Sequence, residues 1–338
     1  MNYTKEMINN RIMPKIYEED KNDSALAETF YHSDVSLTTY KKVVDISSKY
    51  IFYGLTTSHF KEVEEKLTKQ RTYLSSIFLQ DKITNKRIPL KDIVVSANHN
   101  SNRYYSEIQN RINTLVKEAE SKKLKPIFMT LTLPAEYHKT KMDKRTSLQI
   151  KNPKYNYTTP REAVKILTQM FSKIRHDRSL KELSKDERIY YRVNEPHKNG
   201  TPHTHILLFV PEYRIQRIVE AFKRLFHSKA NDIQTNIKNA SAYIMKYINK
   251  TLPLSKQEKL SIKEKYLNAW YSKNRITRFN SSRTLAPLRL YRLLHKKYSL
   301  GELTKLLKVK RLKIFVSIRN LIIFFLVHFD LSISSRAK

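Results

Sequence analysis

Apolar positions along the chain change their period several times, and each change marks an element. From Ser101 to Glu118, Tyr104, Ile108, Ile112, Leu115 and Val116 recur at helical spacing. Lys125-Pro126 leads into a run of β-formers, Ile127 to Leu133, closed by Pro134. Residues 135–158 are polar, rich in Lys and Tyr and poorly periodic, which predicts an exposed loop. A helix start is then written out. Thr159 supplies the N-cap, Pro160 takes the first helical position where its missing N–H is no loss, and Glu162 completes a capping box. Val164, Leu167, Phe171 and Ile174 give this helix one apolar face. Arg188 to Glu195 and His203 to Val210 read as strands joined through Pro196 to Pro202, with Asn199-Gly200 at the centre, so they predict a β-hairpin. Ile215, Ile218, Val219, Phe222, Leu225 and Phe226 mark an amphipathic helix, Ile233 to Lys238 a further strand, and Ala240 to Lys250 a helix that stops before Leu252-Pro253. This order predicts an α+β fold: an antiparallel sheet with helices on one face, its other face open, and an appended last helix.

The pattern divides the chain into three regions. Residues 1–100 carry no repeat and no chemical motif, and their role is unknown; residues 101–250 form the patterned unit; residues 251–338 are basic and read as mainly helical. In the last region Trp270, Arg275, Arg278, Arg283, Arg289 and Arg292 stand among apolar positions as candidates for phosphate contact, with a solvated face as the plain alternative for each. Ser299 to Val309 followed by Ile314 has weak helix-turn-helix spacing, with Lys308 where glycine is usual and Thr304 where alanine is usual. Ile314 to Val327 is apolar but interrupted by Arg319 and Asn320, too short for a membrane span of about 20 residues. It reads as a buried helix or strand, or an interaction surface.

Composition narrows the function. Against 31 Asp+Glu stand 65 Lys+Arg in 338 residues, a formal charge of +34, the footprint of a protein that meets a polyanion. A bias toward Lys, Asn, Ile and Tyr enriches lysine without selection, but it does not account for a twofold excess of bases over acids. There is no cysteine, so disulfides, thiolate metal sites and cysteine nucleophiles are excluded. The absence of cysteine and of an apolar segment after Met1 predicts a cytoplasmic protein. Glycine occurs only at 54, 200 and 301, so neither a phosphate-cradling GxxxxGK loop nor a GxGxxG fingerprint exists. No nucleotide cofactor is expected, and ATP-driven work falls to a partner.

Two constellations carry chemistry. His203-Thr204-His205 sits on a strand, where residues two apart face the same way, so both imidazoles can reach one ion. Alone the pair is weak, because two surface histidines on a strand look the same. With the hairpin centred on Asn199, however, Glu195 lies opposite His203 and diagonal to His205. Two imidazoles and a carboxylate make a three-ligand site with open positions, suited to Mn²⁺, Mg²⁺ or Zn²⁺, with Mn²⁺ or Mg²⁺ favoured. His197 lies in the turn and reads as a surface or substrate-contacting residue. In the last patterned helix, Tyr243 and Tyr247 are four apart and share a face, so both phenols could approach one phosphate; two tyrosines bridging core and water are the ordinary alternative. Lys246 beside them would favour the phenolate, whose unperturbed pKa of about 10 is too high for an unassisted nucleophile, or it is simply solvated.

The strand Phe128-Met-Thr-Leu-Thr-Leu-Pro134, the run Glu195-Pro-His-Lys-Asn-Gly-Thr-Pro-His203-Thr-His205 and the helix Ala242-Tyr-Ile-Met-Lys-Tyr-Ile-Asn-Lys250 occur in this order. Together they resemble the HUH endonucleases that initiate rolling-circle replication, and most of all the two-tyrosine group typified by bacteriophage replication gene A proteins and related plasmid Rep proteins. The resemblance covers residues 125–250. Thr204 departs from it, standing where the family usually has a bulky hydrophobic residue. The resemblance implies a ferredoxin-like or RRM-like catalytic core in residues 101–250. It also implies a divalent metal held by Glu195, His203 and His205, and attack by Tyr243 or Tyr247 on one DNA strand at a replication origin. The expected products are a 5′-phosphotyrosine and a free 3′-OH. Single-stranded or extruded DNA, a host helicase and a host DNA polymerase are the expected partners, with no membrane. A mobilisation relaxase, a transposase of the same chemistry and a non-catalytic basic binding protein are the alternatives.

Overall fold

The structure, a computed structural model, describes residues 52–80, 85, 87–143, 145, 149–252, 260–309, 312–316 and 323–327. After a tight turn at Phe52 to Leu55, the chain runs through α1 (Thr57–Ser76), β1 (Phe78–Gln80), β2 (Arg87–Pro89) and α2 (Ser101–Ser121). Then follow β3 (Lys125–Thr132), β4 (Thr140–Met142), β5 (Gln149–Lys151), α3 (Pro160–His176), β6 (Ile189–Pro196) and β7 (Pro202–Val210). Next come α4 (Ile215–Leu225), β8 (Asp232–Gln234), α5 (Ala240–Thr251), α6 (Ile262–Asn274) and β9 (Phe279–Ser281). The last elements are α7 (Leu288–Leu294), α8 (Leu300–Lys308), β10 (Leu312–Val316) and β11 (Ile323–Val327). The mixed α+β class is the one the pattern predicts. Thr159 caps α3 as expected: its hydroxyl accepts from the Glu162 amide at 3.3 Å while the Glu162 carboxylate accepts from the Thr159 amide at 2.9 Å.

The main sheet has five strands in the order β8-β3-β7-β6-β9, and every neighbouring pair is antiparallel. Both of its faces are covered, which corrects the expectation of an open face. On one, Ile127, Met129, Leu131, Ile206 and Leu208 pack against Leu167, Phe171 and Ile174 of α3 and Ile218 and Phe222 of α4. On the other, Phe128, Tyr191, Val193, Leu207 and Phe209 pack against Ile108, Ile112 and Leu115 of α2 and Ile244 and Ile248 of α5. The physical reason lies in the strands: β3 and β7 carry apolar residues at successive positions, Ile127 to Met129 and Ile206 to Val210, and β3, β6 and β7 are all buried at successive positions, the pattern of strands covered on both sides.

A third, smaller cluster joins the two flanks. Leu55, Val63 and Leu67 pack with Tyr266, Leu267, Trp270 and Tyr271 of α6, and the Phe60 and Tyr266 rings stack at 4.4 Å. Trp270 and Tyr271 of α6 bond to the Gly200 and Asn194 carbonyls of the β6–β7 hairpin, which ties this cluster to the sheet, and β9 is the sheet's edge strand. β9 lies beyond residues 101–250 and, at three residues, leaves almost no periodic signal in the sequence.

Other expectations about the C-terminal region also change. Trp270 and Arg278 are buried, and the half-buried Arg292 pairs with Glu107 at 2.7 Å, so all three are engaged within the fold. Arg275, Arg283 and Arg289 are exposed. Leu312–Val316 pairs antiparallel with Ile323–Val327, so a strand stands where the second helix of a helix-turn-helix was expected. Among the described residues, no helix is long and apolar enough to cross a membrane.

Candidate functional site

The hairpin of β6 and β7 builds the site. Its turn is closed by the Gly200 amide donating to the His197 carbonyl at 2.9 Å, with Gly200 at φ +86°, a left-handed conformation natural to glycine. This turn sets the register, so Glu195 pairs with His203 and Val193 with His205. Alternation along β7 then points His203 and His205 to the same face as Leu207 and Phe209. Glu195 Oε2 lies 3.7 Å from His203 Nε2 and 3.4 Å from His205 Nε2, and all three residues are buried.

The donor set fits a divalent cation. One ligand atom from each of Glu195, His203 and His205 lies within 4.8 Å of the others, and Glu195 Oε2 is a buried carboxylate oxygen with no hydrogen-bond partner among the described residues. Burial holds His203 well below the usual imidazole range and, against the pull of Glu195, lowers His205 too, so both offer lone pairs at neutral pH. Burial pushes the Glu195 carboxyl up, but the neighbouring His205 and Lys250 outweigh it, and the group stays below its ordinary value. Thr130, opposite His205 on β3, places Oγ1 3.1 Å from His205 Nδ1 and so orients the ring, as the outer partners of metal-ligating histidines do.

Helix α5 presents the tyrosines. The Asn239 side chain caps it by accepting from the Ala242 amide at 2.9 Å, and Ile244, Ile248 and Thr251 bury its inner face. Tyr243, Tyr247 and Lys250, spaced by four and three residues, form one stripe beside that face. The Tyr247 ring sits 3.9 Å from the His205 ring, and Phe128 contacts both phenols, at 5.1 Å from Tyr247 and 4.6 Å from Tyr243. Tyr243 Oη donates to Gln234 Oε1 of β8 at 2.7 Å.

The expected role of Lys246 does not match its position. Lys246 is exposed and makes no ion pair or hydrogen bond among the described residues, whereas Lys250, one turn on, pairs with Glu195 Oε1. Burial, followed by Tyr243 and the charge of Glu195, raises Tyr247 to about 12, the direction opposite to a lysine-stabilised phenolate. Lys250 escaped the sequence reading because its placement depends on how α5 is rotated against the sheet. His197 is half-buried in the turn, its ring 4.1 Å from that of His203, and its Nε2 has no hydrogen-bond partner among the described residues. Burial, then the neighbouring His138, lowers its pKa to about 4.

Thr204 is fully buried on the opposite face, and its hydroxyl donates to Asn194 Oδ1 at 2.8 Å, so the polar group costs nothing unsatisfied. Beside the hairpin turn lies the ribbon of β4 and β5. Asn199 Nδ2 donates to the Thr140 carbonyl at 3.2 Å and Thr201 Oγ1 to the Tyr137 carbonyl at 3.0 Å.

Fold and site together define a class: an α+β domain whose antiparallel sheet carries a buried, metal-capable Glu-His-His cluster flanked by paired tyrosines. The chain belongs to the bacteriophage replication gene A protein (GPA) family, whose model matches residues 30–254. Among curated relatives, it is 28% identical over 219 residues to the replication protein of Haemophilus phage HP1, covering 59% of this chain and 26% of that protein. It is 33% identical over 144 residues to the replication gene A protein of Escherichia phage 186, covering 37% and 19%. It is 26% identical over 240 residues to a probable replication endonuclease from a prophage-like region of Salmonella typhi, covering 62% and 28%. The chain thus spans less than a third of the length of these relatives. No solved structure matches it significantly.

Proposed function

We propose that this chain is the catalytic part of a replication initiator that nicks and rejoins one DNA strand at an origin through a tyrosine nucleophile. The observation that carries the reading is the Tyr247 ring lying 3.9 Å from His205, whose Nε2 converges with Glu195 and His203, in a chain of the GPA family. Glu195, His203 and His205 would hold Mg²⁺ or Mn²⁺, which supplies Lewis-acid polarisation of the scissile phosphate. The phenolic oxygen of Tyr247 or Tyr243 bonds to phosphorus as the bond to the 3′-oxygen breaks, leaving a 5′-phosphotyrosine and a 3′-OH. At neutral pH the Tyr247 phenol keeps its proton, so attack is accompanied by its loss. While one tyrosine holds the 5′ end, the second is free to cleave the regenerated site, and the released 3′-OH reseals the strand.

The strand must be single or extruded to reach this pocket. Lys141, Arg145, Lys151 and Lys154 on and around the β4–β5 ribbon, with Lys198 in the hairpin turn, are exposed and have no ion pair among the described residues. Tyr157, 78% exposed, offers a stacking surface beside them. This ribbon is the proposed DNA path, with residues 101–250 plus β9 as the catalytic unit. Unwinding and synthesis fall to a separate helicase and polymerase.

The test is incubation with Mn²⁺ and 3′-end-labelled single-stranded origin DNA, followed by denaturing electrophoresis. Label migrating with the protein, dependent on metal and on either tyrosine, supports the nickase. Binding to the same fragments without any covalent product points instead to a non-catalytic binding protein.

A further inference from the structure

The strand that carries Glu195 loses its outer neighbour just before the site. On that edge β9 pairs only with Tyr191, Arg192 and Val193, while Glu195 lies two residues farther on. Other groups take over from β9. The Asn194 amide donates to the Arg278 carbonyl at 2.9 Å, and the buried Tyr271 Oη donates to the Asn194 carbonyl at 2.6 Å. Beyond them, the buried Trp270 Nε1 donates to the Gly200 carbonyl at 3.0 Å. Both side chains come from α6, outside residues 30–254 that define the family match.

The hairpin tip is closed from its other side by the turn Phe52 to Leu55. Tyr53 and Gly54 have φ of 52° and 67°, the left-handed pair of a tight turn. A Cβ on Gly54 would come to 2.7 Å of the Asn199 carbonyl oxygen, and a Cβ on Gly200 would overlap the Tyr53 carbonyl. Two turns are therefore pressed backbone to backbone, and Leu55 anchors one of them in the cluster that contains Trp270.

We infer that Trp270 and Tyr271, seated against the Phe52–Leu55 turn, are positioning residues that hold the hairpin carrying Glu195, His203 and His205 in its metal-binding geometry. The inference rests on the metal reading of the preceding section. Its physical basis is that a hairpin end without an edge partner frays, whereas donors fixed in a packed helix restrain its carbonyls at the spacing that the three ligands need. The hydrogen bonds of Trp270 and Tyr271 go to the Gly200 and Asn194 carbonyls, so the two side chains act through the main chain.

The test uses the full chain and two conservative variants, Trp270→Phe and Tyr271→Phe, alone and together. Each keeps a ring in the core and removes one hydrogen-bond donor. Mn²⁺ affinity is measured by electron paramagnetic resonance titration, beside thermal melting and the separate kcat and KM of nicking. The expected result is an Mn²⁺ affinity about 10-fold weaker in the double variant, in the range seen when outer partners of metal ligands are removed. Nicking should lose kcat with little change in KM. An Mn²⁺ affinity equal to wild type overturns the inference, even if melting falls, because that is the signature of a packing role alone. Should the double variant fail to fold, the single variants decide on the same readout. His203→Ala with His205→Ala is the control: if that variant keeps wild-type Mn²⁺ binding, the metal reading fails and this inference with it.

Discussion

The two faces of the central sheet are made from the same three strands and do different work. Behind the sheet, Ile127, Met129, Leu131, Ile206 and Leu208 meet two helices in a mainly apolar core, with Arg192, Asn194 and Thr204 buried on the same face. In front, Leu207 and Phe209 begin a similar core, but two residues earlier on the same strand the face turns to His205 and His203. What differs is that the front face gathers titratable groups, with His203 and His205 of β7 facing Glu195 of β6. A firmly packed back face lets the front end of the strand bury three titratable groups, whose desolvation would otherwise weaken the fold.

The largest expected effect separates chemistry from folding. Tyr243→Phe combined with Tyr247→Phe should lower nicking by about 10³-fold or more, with melting temperature and DNA binding close to wild type. Retained cleavage in the denaturing gel would remove both proposed nucleophiles. The mirror experiment strikes the back face: Phe171→Ala should cost about 3–5 kcal/mol in denaturant unfolding, and at low temperature the folded fraction should keep wild-type Mn²⁺ affinity. If that affinity falls in proportion to stability, the two faces are not separable.

Smaller effects sharpen the contrast. Thr130→Val removes the partner of His205 Nδ1 and should weaken Mn²⁺ binding by about 10-fold, which isothermal titration would resolve. Lys141→Ala with Lys151→Ala should leave kcat unchanged, raise KM and flatten the salt dependence of binding by about 0.7 for each phosphate that is no longer neutralised; an unaltered salt slope would place the DNA elsewhere. The smallest effect concerns a surface network remote from both faces, where Lys308 and Lys122 pair with Glu118 and Asp186. Burial opposes ionisation of both carboxyls, but bonds from the lysines outweigh it and hold them below their ordinary values. Their contribution is therefore present above the unfolded carboxylate pKa and disappears as pH falls through the lower folded values. Melting curves from pH 7 to 3 should be slightly flatter for Glu118→Gln with Asp186→Asn than for wild type.

What the sequence made legible followed from local rules. Asn199-Gly200 declared the turn, the turn set the register, and the register put Glu195 across from His203. Thr159 and Glu162 announced their helix by a capping box with no tertiary help. The parts that stayed hidden depend on distant segments meeting. Lys250 reaches Glu195 only because α5 has one rotation against the sheet, and Lys246, nearer the tyrosines in sequence, faces away. Trp270 and Gly200 are 70 residues apart, and neither carries a periodic signal that names the other. The second cover of the sheet is hidden for a related reason: apolar residues at consecutive strand positions imply two covers, but which helices supply them is settled only by packing.

The bond between Thr204 and Asn194 has a consequence for how this lineage can drift. The hydroxyl is buried and donates to the Asn194 side chain directly across the ladder, while Asn194 Nδ2 in turn donates to the Thr277 carbonyl at 2.8 Å, so three positions are tied together. A bulky hydrophobic residue introduced at 204 alone would strand the Asn194 side-chain oxygen in the interior, and a hydrophobic residue at 194 alone would strand both the Thr204 hydroxyl and the Thr277 carbonyl. Passage between this chain's version of the motif and the hydrophobic one therefore takes more than a paired exchange, because the Thr277 carbonyl must find a new donor as well.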